Sequence, residues 1–217
     1  MEYIKGETLR ARLTRCRGQL SMADSVKLGA QLADTLAAAH AEGIVHRDLK
    51  PDNVMIVKSP RRGEGERTKL LDFGIAKLFE GNSEHIKTKT TAVMGTPVYM
   101  SPEQCMGKPL DGRADMYSVG CLIYEALCGR KAFWGRNPTE TMMKHVQDPP
   151  DLTTFDKIDE PWVPQMKAII AQCLAKDPSQ RFENMGVVKS ALLEVPIHRK
   201  APRAVRGWRG ACRKGHP

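Results

Sequence analysis

The 217-residue chain lacks several features that would assign it to common classes of protein. It has no run approaching the roughly 18 consecutive apolar residues of a membrane helix. Its opening stretch, MEYIKGETLR, has no apolar core of a secretory signal. Its six cysteines include no C-x-x-C pair, which argues against a zinc site and a disulfide framework. Packed free thiols and a cytoplasmic location are therefore expected.

Acidic residues are missing from the end of the chain. The formal net charge is +9, and residues 196–217 contain seven Lys or Arg and no Asp or Glu, which leaves +2 for residues 1–195. A Gly- and Pro-containing basic stretch without periodicity is typical of a disordered, solvated tail. Weak contact with anionic surfaces through Trp208 and its neighbours stays open. We expect a folded domain over 1–195, a basic tail over 196–217, no specific nucleic-acid partner and no membrane span.

The hydrophobic pattern predicts an α+β domain that is mainly helical and contains one small β-hairpin. Ser21 is a candidate N-cap, and Gly43 a candidate helix terminator. Residues 75–110, which are rich in Thr, Gly and Pro, predict a long functional loop. The apolar residues between 112 and 129 predict a helix buried at the centre of the domain. The predicted elements are helices at 7–17, 21–41, 112–129, 138–147, 164–175 and 183–194, and strands at 54–57 and 69–71.

The stretch GIVHRDLKPDNVMIV concentrates charged and polar residues immediately before a predicted strand. Asp48 and Asn53 precede this strand, and Asp72 follows its predicted partner. The hairpin can therefore bring these three side chains to one end. Carboxylate and amide oxygens are hard ligands suited to Mg²⁺, and Lys50 adds a cation that could neutralise phosphate. The combination favours phosphoryl transfer.

Several ordered motifs together resemble the eukaryotic-type protein kinases, and most closely the bacterial serine/threonine kinases. The segments that carry the resemblance are MEYIKGETL at 1–9, HRDLKPDN at 46–53, DFG at 72–74, GTPVYMSPE at 95–103, DMYSVGCLIYEALCGRKAF at 115–133 and DPSQR at 177–181. The segment at 95–103 ends in SPE, where APE is commoner in the family. The resemblance implies a protein kinase-like fold, with the C-terminal lobe over residues 1–195.

The resemblance also implies the roles of the catalytic residues. Asp48 would accept the proton of the substrate hydroxyl, and Lys50 would contact the γ-phosphate of ATP. Asn53 and Asp72 would hold Mg²⁺. Thr96 would bridge Asp48 and Lys50. Lys50 two residues after Asp48 is similar to serine/threonine rather than tyrosine kinases.

The resemblance also implies a regulatory switch. Thr88 and Thr90 lie in the segment between DFG and SPE, where kinases of this type are phosphorylated. Arg47, beside the proposed base, would pair with the phosphorylated threonine. A threonine-rich loop without regulatory meaning is the alternative.

The resemblance assigns structural roles to five further residues. His46 and Phe73 would pack internally and align the site. Glu103 and Arg181 would form a buried ion pair that fixes the activation segment. Asp115 would hold the backbone of the catalytic loop from the central helix.

The Gly-rich loop, the strand-three lysine and the helix-C glutamate of kinases have no counterpart, since the resemblance begins at the hinge. We therefore expect the small lobe to be absent. One hypothesis is a serine/threonine kinase that phosphorylates protein substrates in signalling. The other is a non-catalytic lobe that acts as a protein-binding module. Weak Mg²⁺–ATP binding and self-association through uncovered apolar surface are also expected.

Overall fold

The computed structural model describes residues 5–59, 65–72 and 97–197. The strands are β1 (Gly6–Thr8), β2 (Val54–Lys58) and β3 (Glu66–Leu70). The helices are α1 (Leu9–Arg15), α2 (Met22–Ala41), α3 (Pro102–Cys105), α4 (Gly112–Cys128), α5 (Pro138–Gln147), α6 (Val163–Cys173) and α7 (Met185–Leu193). Short 3-10 turns lie at Pro51–Asn53, Thr153–Lys157 and Pro178–Gln180. The mainly helical architecture with a small sheet is confirmed.

The start of the first predicted helix is wrong. The structure forms the short strand β1 there, pairing Gly6 with Val57 and Thr8 with Met55. A Cβ on Gly6 would lie 2.5 Å from the carbonyl oxygen of Ile56, so glycine permits the close pairing. Thr8 then caps α1, accepting a hydrogen bond from the backbone N–H of Ala11 at 3.1 Å. Helix α1 consequently begins two residues later than predicted.

The sheet is antiparallel in the order β1-β2-β3. The central strand β2 is buried from Val54 to Val57, as its apolar sequence predicts. Strand β3 pairs Leu70 with Val54 and begins at Glu66, earlier than predicted. The side chain of Gln31 on α2 covers the outer edge of β3, because it accepts a hydrogen bond from Thr68 N–H at 2.8 Å. This contact anchors the hairpin to α2.

Helix α4 forms the centre of the core, as predicted. Every residue from Ala114 to Leu127 is buried, and α2 and α6 pack against it. Gly29 on α2 allows this close packing, since a Cβ there would lie 2.7 Å from Cδ1 of Ile123. Gly129 ends the helix in the left-handed conformation with φ of 69°.

Ser21 caps α2 through the N–H of Asp24 at 3.1 Å, and Gly43 follows its end with φ of 72°. The predicted long loop at 75–110 is corrected at its end. Ser101 and Gln104 form a reciprocal capping box that starts α3 inside that range. Residues 75–96 of the predicted loop lie outside the described residues.

The cysteine prediction is confirmed for Cys105, Cys121, Cys128 and Cys173, which are free thiols. Burial raises the pKa of Cys128 and Cys173 to about 12, which keeps them protonated. Cys16 is disulfide-bonded, which the sequence did not predict. Within the described ranges, no helix combines the length and apolarity needed to cross a membrane.

Candidate active site

Three of the predicted site residues meet in the loop between α2 and β2. The ammonium group of Lys50 lies 2.8 Å from Oδ2 of Asp48. The side-chain amide of Asn53 donates to the backbone carbonyl of Asp48 at 2.8 Å and to its Oδ2 at 3.1 Å. Two donors therefore orient one carboxylate oxygen, and the Pro51–Asn53 turn brings Asn53 back towards Asp48.

Asp72 is brought to the same end of the hairpin by backbone contacts. The N–H of Leu71 donates to the carbonyl of Asn53 at 2.9 Å, and Nε2 of His46 lies 3.0 Å from the carbonyl of Leu71. Asp72 follows directly, exposed to solvent, with a left-handed φ of 48°. The buried side chain of His46 therefore contacts the backbone immediately before Asp72.

Asn53 and Asp72 suit a magnesium ion by their chemistry. The amide nitrogen of Asn53 is used in holding Asp48, so the amide oxygen is the half of the group suited to a hard cation. Asp72 contributes an exposed carboxylate from the neighbouring strand. One carboxylate and one amide oxygen leave coordination positions for waters and phosphate oxygens, as Mg²⁺ requires.

Asp115 at the start of α4 holds the backbone of the loop. Its side chain accepts hydrogen bonds from the N–H of His46 at 2.8 Å and of Arg47 at 2.9 Å. A third contact joins its Oδ2 to Nε2 of His40 at 2.8 Å. His40 was missed by the sequence reasoning, because nothing local connects the end of one helix with an aspartate 75 positions later. Gly112 makes room for it, since a Cβ there would lie 2.4 Å from Nδ1 of His40.

Arg47 is held in a strained conformation beside the proposed base. Its φ is 65°, a left-handed value that is uncommon for residues other than glycine. Asp115 fixes its N–H, and the side-chain amide of Gln104 donates to its carbonyl at 2.8 Å. Gln104 thus links the loop to α3, a link that the sequence reasoning also missed. Among the described residues, Nε of Arg47 is buried and has no hydrogen-bond partner.

Glu103 and Arg181 form a two-pronged ion pair. The distances from the guanidinium to the two carboxylate oxygens are 2.7 and 2.8 Å, and the Arg181 side chain has no exposed surface. Burial raises the pKa of Glu103, but the hydrogen bonds and charge of Arg181 outweigh it and the pKa lies below its ordinary value. Arg181 also donates to the carbonyls of Ala175 and Arg113 at 2.9 and 2.7 Å. The pair therefore ties α3 to α4 and to the turn before α7.

A further buried carboxylate, Glu125 on α4, was not singled out from the sequence. The hydroxyl of Tyr99 donates to it at 2.5 Å, Arg10 donates at 3.0 Å, and Lys131 also contacts it. Burial, followed by the charge of Glu125, raises the pKa of Tyr99 well above its ordinary value. Arg10 extends further to Asp52, 3.6 Å away in the Pro51–Asn53 turn. This cluster joins α1, α4 and the candidate site.

Four predicted site residues, Phe73, Thr88, Thr90 and Thr96, lie outside the described residues. Their roles stay predictions.

Comparison with known proteins decides the family. The model of the protein kinase domain matches residues 1–193. The chain belongs to the protein kinase family. Curated relatives from Streptomyces, Mycolicibacterium and Myxococcus are serine/threonine kinases, which places it in the bacterial serine/threonine type.

Three relatives show the extent of the similarity. The probable serine/threonine-protein kinase SCO3848 of Streptomyces coelicolor is 40% identical over 184 residues, covering 85% of this chain and 26% of the relative. PknB of Mycolicibacterium smegmatis is 34% identical over 195 residues, covering 90% and 30%. Pkn3 of Myxococcus xanthus is 36% identical over 201 residues, covering 92% and 36%. This kinase chain thus spans about a third or less of the length of these relatives.

Proposed function

We infer that this chain provides the catalytic loop of a serine/threonine protein kinase that transfers the γ-phosphate of ATP to protein substrates in signalling. The observation that carries the proposal is the contact set of Asp48 with Lys50 and Asn53 at 2.8 to 3.1 Å. A carboxylate oriented by a lysine and by a metal-binding amide is the arrangement that phosphoryl transfer needs. We assign the catalytic domain to residues 1–195 and a cytoplasmic location to the protein.

Each residue of the site has a separate role in the proposed reaction. Asp48 would accept the hydroxyl proton as the substrate oxygen attacks phosphorus. Lys50 is close enough to Asp48 to neutralise charge on the phosphate at the same point. Asn53 and Asp72 would hold Mg²⁺, which when bound offsets the charge of the ATP phosphates. Asp115 has a positioning role, because it fixes the backbone immediately before Asp48.

Arg47 supports the proposed regulation. Its buried Nε has no partner among the described residues, and a buried guanidinium nitrogen without an acceptor is energetically unfavourable. A phosphate on Thr88 or Thr90 would supply acceptor oxygens and about two negative charges. Replacing both threonines with alanine should lower activity, and replacing Arg47 with alanine should remove the effect of phosphorylation.

Phosphoryl transfer to a generic basic protein tests the function. Asp48→Asn should reduce the rate about 10²- to 10⁴-fold, the usual contribution of a general base. Asp52→Asn is the matched control, since Asp52 lies in the same loop between α2 and β2 but its side chain is 55% exposed and contacts Arg10. Equal rates for Asp48→Asn and Asp52→Asn would contradict the assignment of the base. Nucleotide binding without transfer in the unmodified chain would instead favour a non-catalytic binding module.

Self-association is a further part of the proposal. Trp134 and Leu193 are 59% and 62% exposed, although each has a large apolar side chain. Contact between two copies would remove such apolar side chains from water. Light scattering should show species larger than the monomer as concentration rises, whereas a constant monomer mass would contradict this expectation.

A further inference from the structure

A small pocket lies on the face of the domain formed by α1, the start of α2 and the β2–β3 hairpin. Its volume is about 50 Å³, and its lining includes Leu20, Leu28 and Ile56 at the base with Lys27, Arg67 and Thr68 around them. This space holds a carboxylate group or one or two waters, but not a nucleotide. The pocket is separate from the candidate active site, because none of Asp48, Lys50, Asn53 and Asp72 lines it.

The cations that line the pocket are not all paired with carboxylates. Of the two carboxylates in its wall, Glu66 is paired with a cation, whereas Asp24 keeps its charge and is bound to a neutral hydroxyl. Glu66 accepts hydrogen bonds from Arg12 at 2.7 and 3.0 Å, and Asp24 accepts one from the hydroxyl of Ser21 at 2.7 Å. Within the described part of the chain, no contact of 4 Å or less joins Lys27 or Arg67 to a carboxylate, although the charge of Lys27 acts on Glu66 from further away. Two cations are therefore available to an incoming anion.

Thr68 provides a further polar group. Its Oγ1 is buried and has no hydrogen-bond partner within the described ranges. Its backbone N–H is already used by Gln31, so the hydroxyl is the group left to contact a ligand in the pocket. A hydroxyl can donate to a carboxylate oxygen, and doing so would remove the cost of its burial.

The basic excess of the folded domain is concentrated on the elements around this pocket. Residues 6–31, 54–58 and 66–70 contain eight Lys or Arg and three Asp or Glu. The remaining residues up to 195 contain 19 Lys or Arg and 22 Asp or Glu, so their balance is acidic. A localised field of this kind attracts acidic partners and speeds their association.

We propose that this pocket and its basic rim form a docking site for an acidic peptide segment of a protein partner, which inserts one carboxylate between Lys27 and Arg67. A nucleic-acid site would be expected to offer aromatic side chains for stacking, and residues 6–31, 54–58 and 66–70 contain none. A membrane-binding face would expose large apolar side chains. Those that the described residues expose all lie elsewhere: Ile44, Met106, Trp134, Met143, Val187 and Leu193.

Binding of a short fluorescein-labelled peptide of alternating Glu and Leu tests the proposal by fluorescence anisotropy. The full chain is used, and no phosphoryl transfer is needed, so the result is independent of the proposed kinase activity. Arg67→Glu and Lys27→Glu should each weaken binding about tenfold, because attraction becomes repulsion at the docking point. Lys157→Glu, an equal change of charge on an exposed residue outside the pocket, should leave the affinity within about twofold. Unchanged thermal unfolding of each variant shows that the fold is retained.

Three other outcomes would overturn the proposal. Equal losses in Arg67→Glu and Lys157→Glu would mean that net charge and not the pocket attracts the peptide. Equal binding of the corresponding Gln and Leu peptide would mean that carboxylates are not recognised. Binding of phosphatidylglycerol vesicles that depends on Arg67, with no binding of the peptide, would assign the surface to a membrane.

Discussion

The buried pair between Glu103 and Arg181 allows a quantitative prediction of stability. Glu103→Gln keeps the shape of the side chain and removes its charge, which leaves the guanidinium of Arg181 buried without a counter-charge. Removal of one partner from a buried ion pair costs about 3–5 kcal/mol, whereas exposed pairs contribute about 0–1 kcal/mol. The two carbonyls that also accept from Arg181 offset a part of this loss, so we expect about 3 kcal/mol.

Urea unfolding followed by circular dichroism at neutral pH measures this loss. A destabilisation of about 3 kcal/mol corresponds to a fall in melting temperature on the order of 10 °C for a domain of this size. Asp34→Asn is the matched control, because it breaks an exposed contact of 2.6 Å with Lys189 in which the two side chains are 66% and 40% exposed. The reasoning would be refuted if Glu103→Gln and Asp34→Asn lowered the free energy of unfolding equally.

The same pair predicts an acid dependence. The pKa of Glu103 is lowered from 4.5 in the folded state, so the folded protein binds a proton at Glu103 less readily than the unfolded chain. Its contribution to stability is present above pH 4.5 and is lost as the pH falls through the lowered value. The Glu103→Gln variant should therefore lose less stability than the unmodified protein across this acidic window.

Three further perturbations follow from individual contacts. Gly112→Ala should displace His40 from Asp115, because the new Cβ would lie 2.4 Å from the imidazole ring. We expect the free energy of unfolding in urea to fall by about 1–3 kcal/mol and the amides of the loop to exchange their hydrogens faster. Gly129→Ala should cost about 1–2 kcal/mol, because φ is 69° there, and an unchanged melting temperature would contradict it. Burial and then the charge of Lys176 lower the pKa of His145 from 6.5 to about 4, so unfolding takes up a proton between these values. Stability should fall by up to about 3 kcal/mol as the pH drops through this window, and His145→Gln should flatten that part of the profile.

The helices were predictable because their signals are local. Helix α5 has the bounds that the sequence predicted, since Asn137 caps it through the N–H of Glu140 at 2.8 Å and Pro138 occupies its first turn. Ser21 caps the start of α2 in the same way, and Gly129 ends α4 through its left-handed backbone. Strand β1 was missed, because a three-residue strand has no period of its own and forms only when β2 lies beside it.

In the candidate site, too, local features were predictable and long-range contacts were not. Asp48, Lys50 and Asn53 lie within six residues of one another, so their clustering could be inferred from spacing alone, and Asp72 followed from the hairpin. The contacts that fix them come from distant positions. Asp115 reaches His46 across 69 residues, and Gln104 reaches Arg47 across 57.

The amino-acid sequence was enough to predict the family, the order of the helices, the central position of α4 and the identity of the polar residues in the candidate loop. These properties depend on caps, hydrophobic periodicity and motif spacing, which act over a few residues. Tertiary packing was needed to bring His40 to the carboxylate of Asp115. It also placed Lys27 and Arg67 around one pocket, although α2 and β3 are far apart in sequence. Contacts between residues that are distant in sequence depend on how the buried faces of the elements pack. Because packing involves the whole core, no local sequence pattern predicts these contacts.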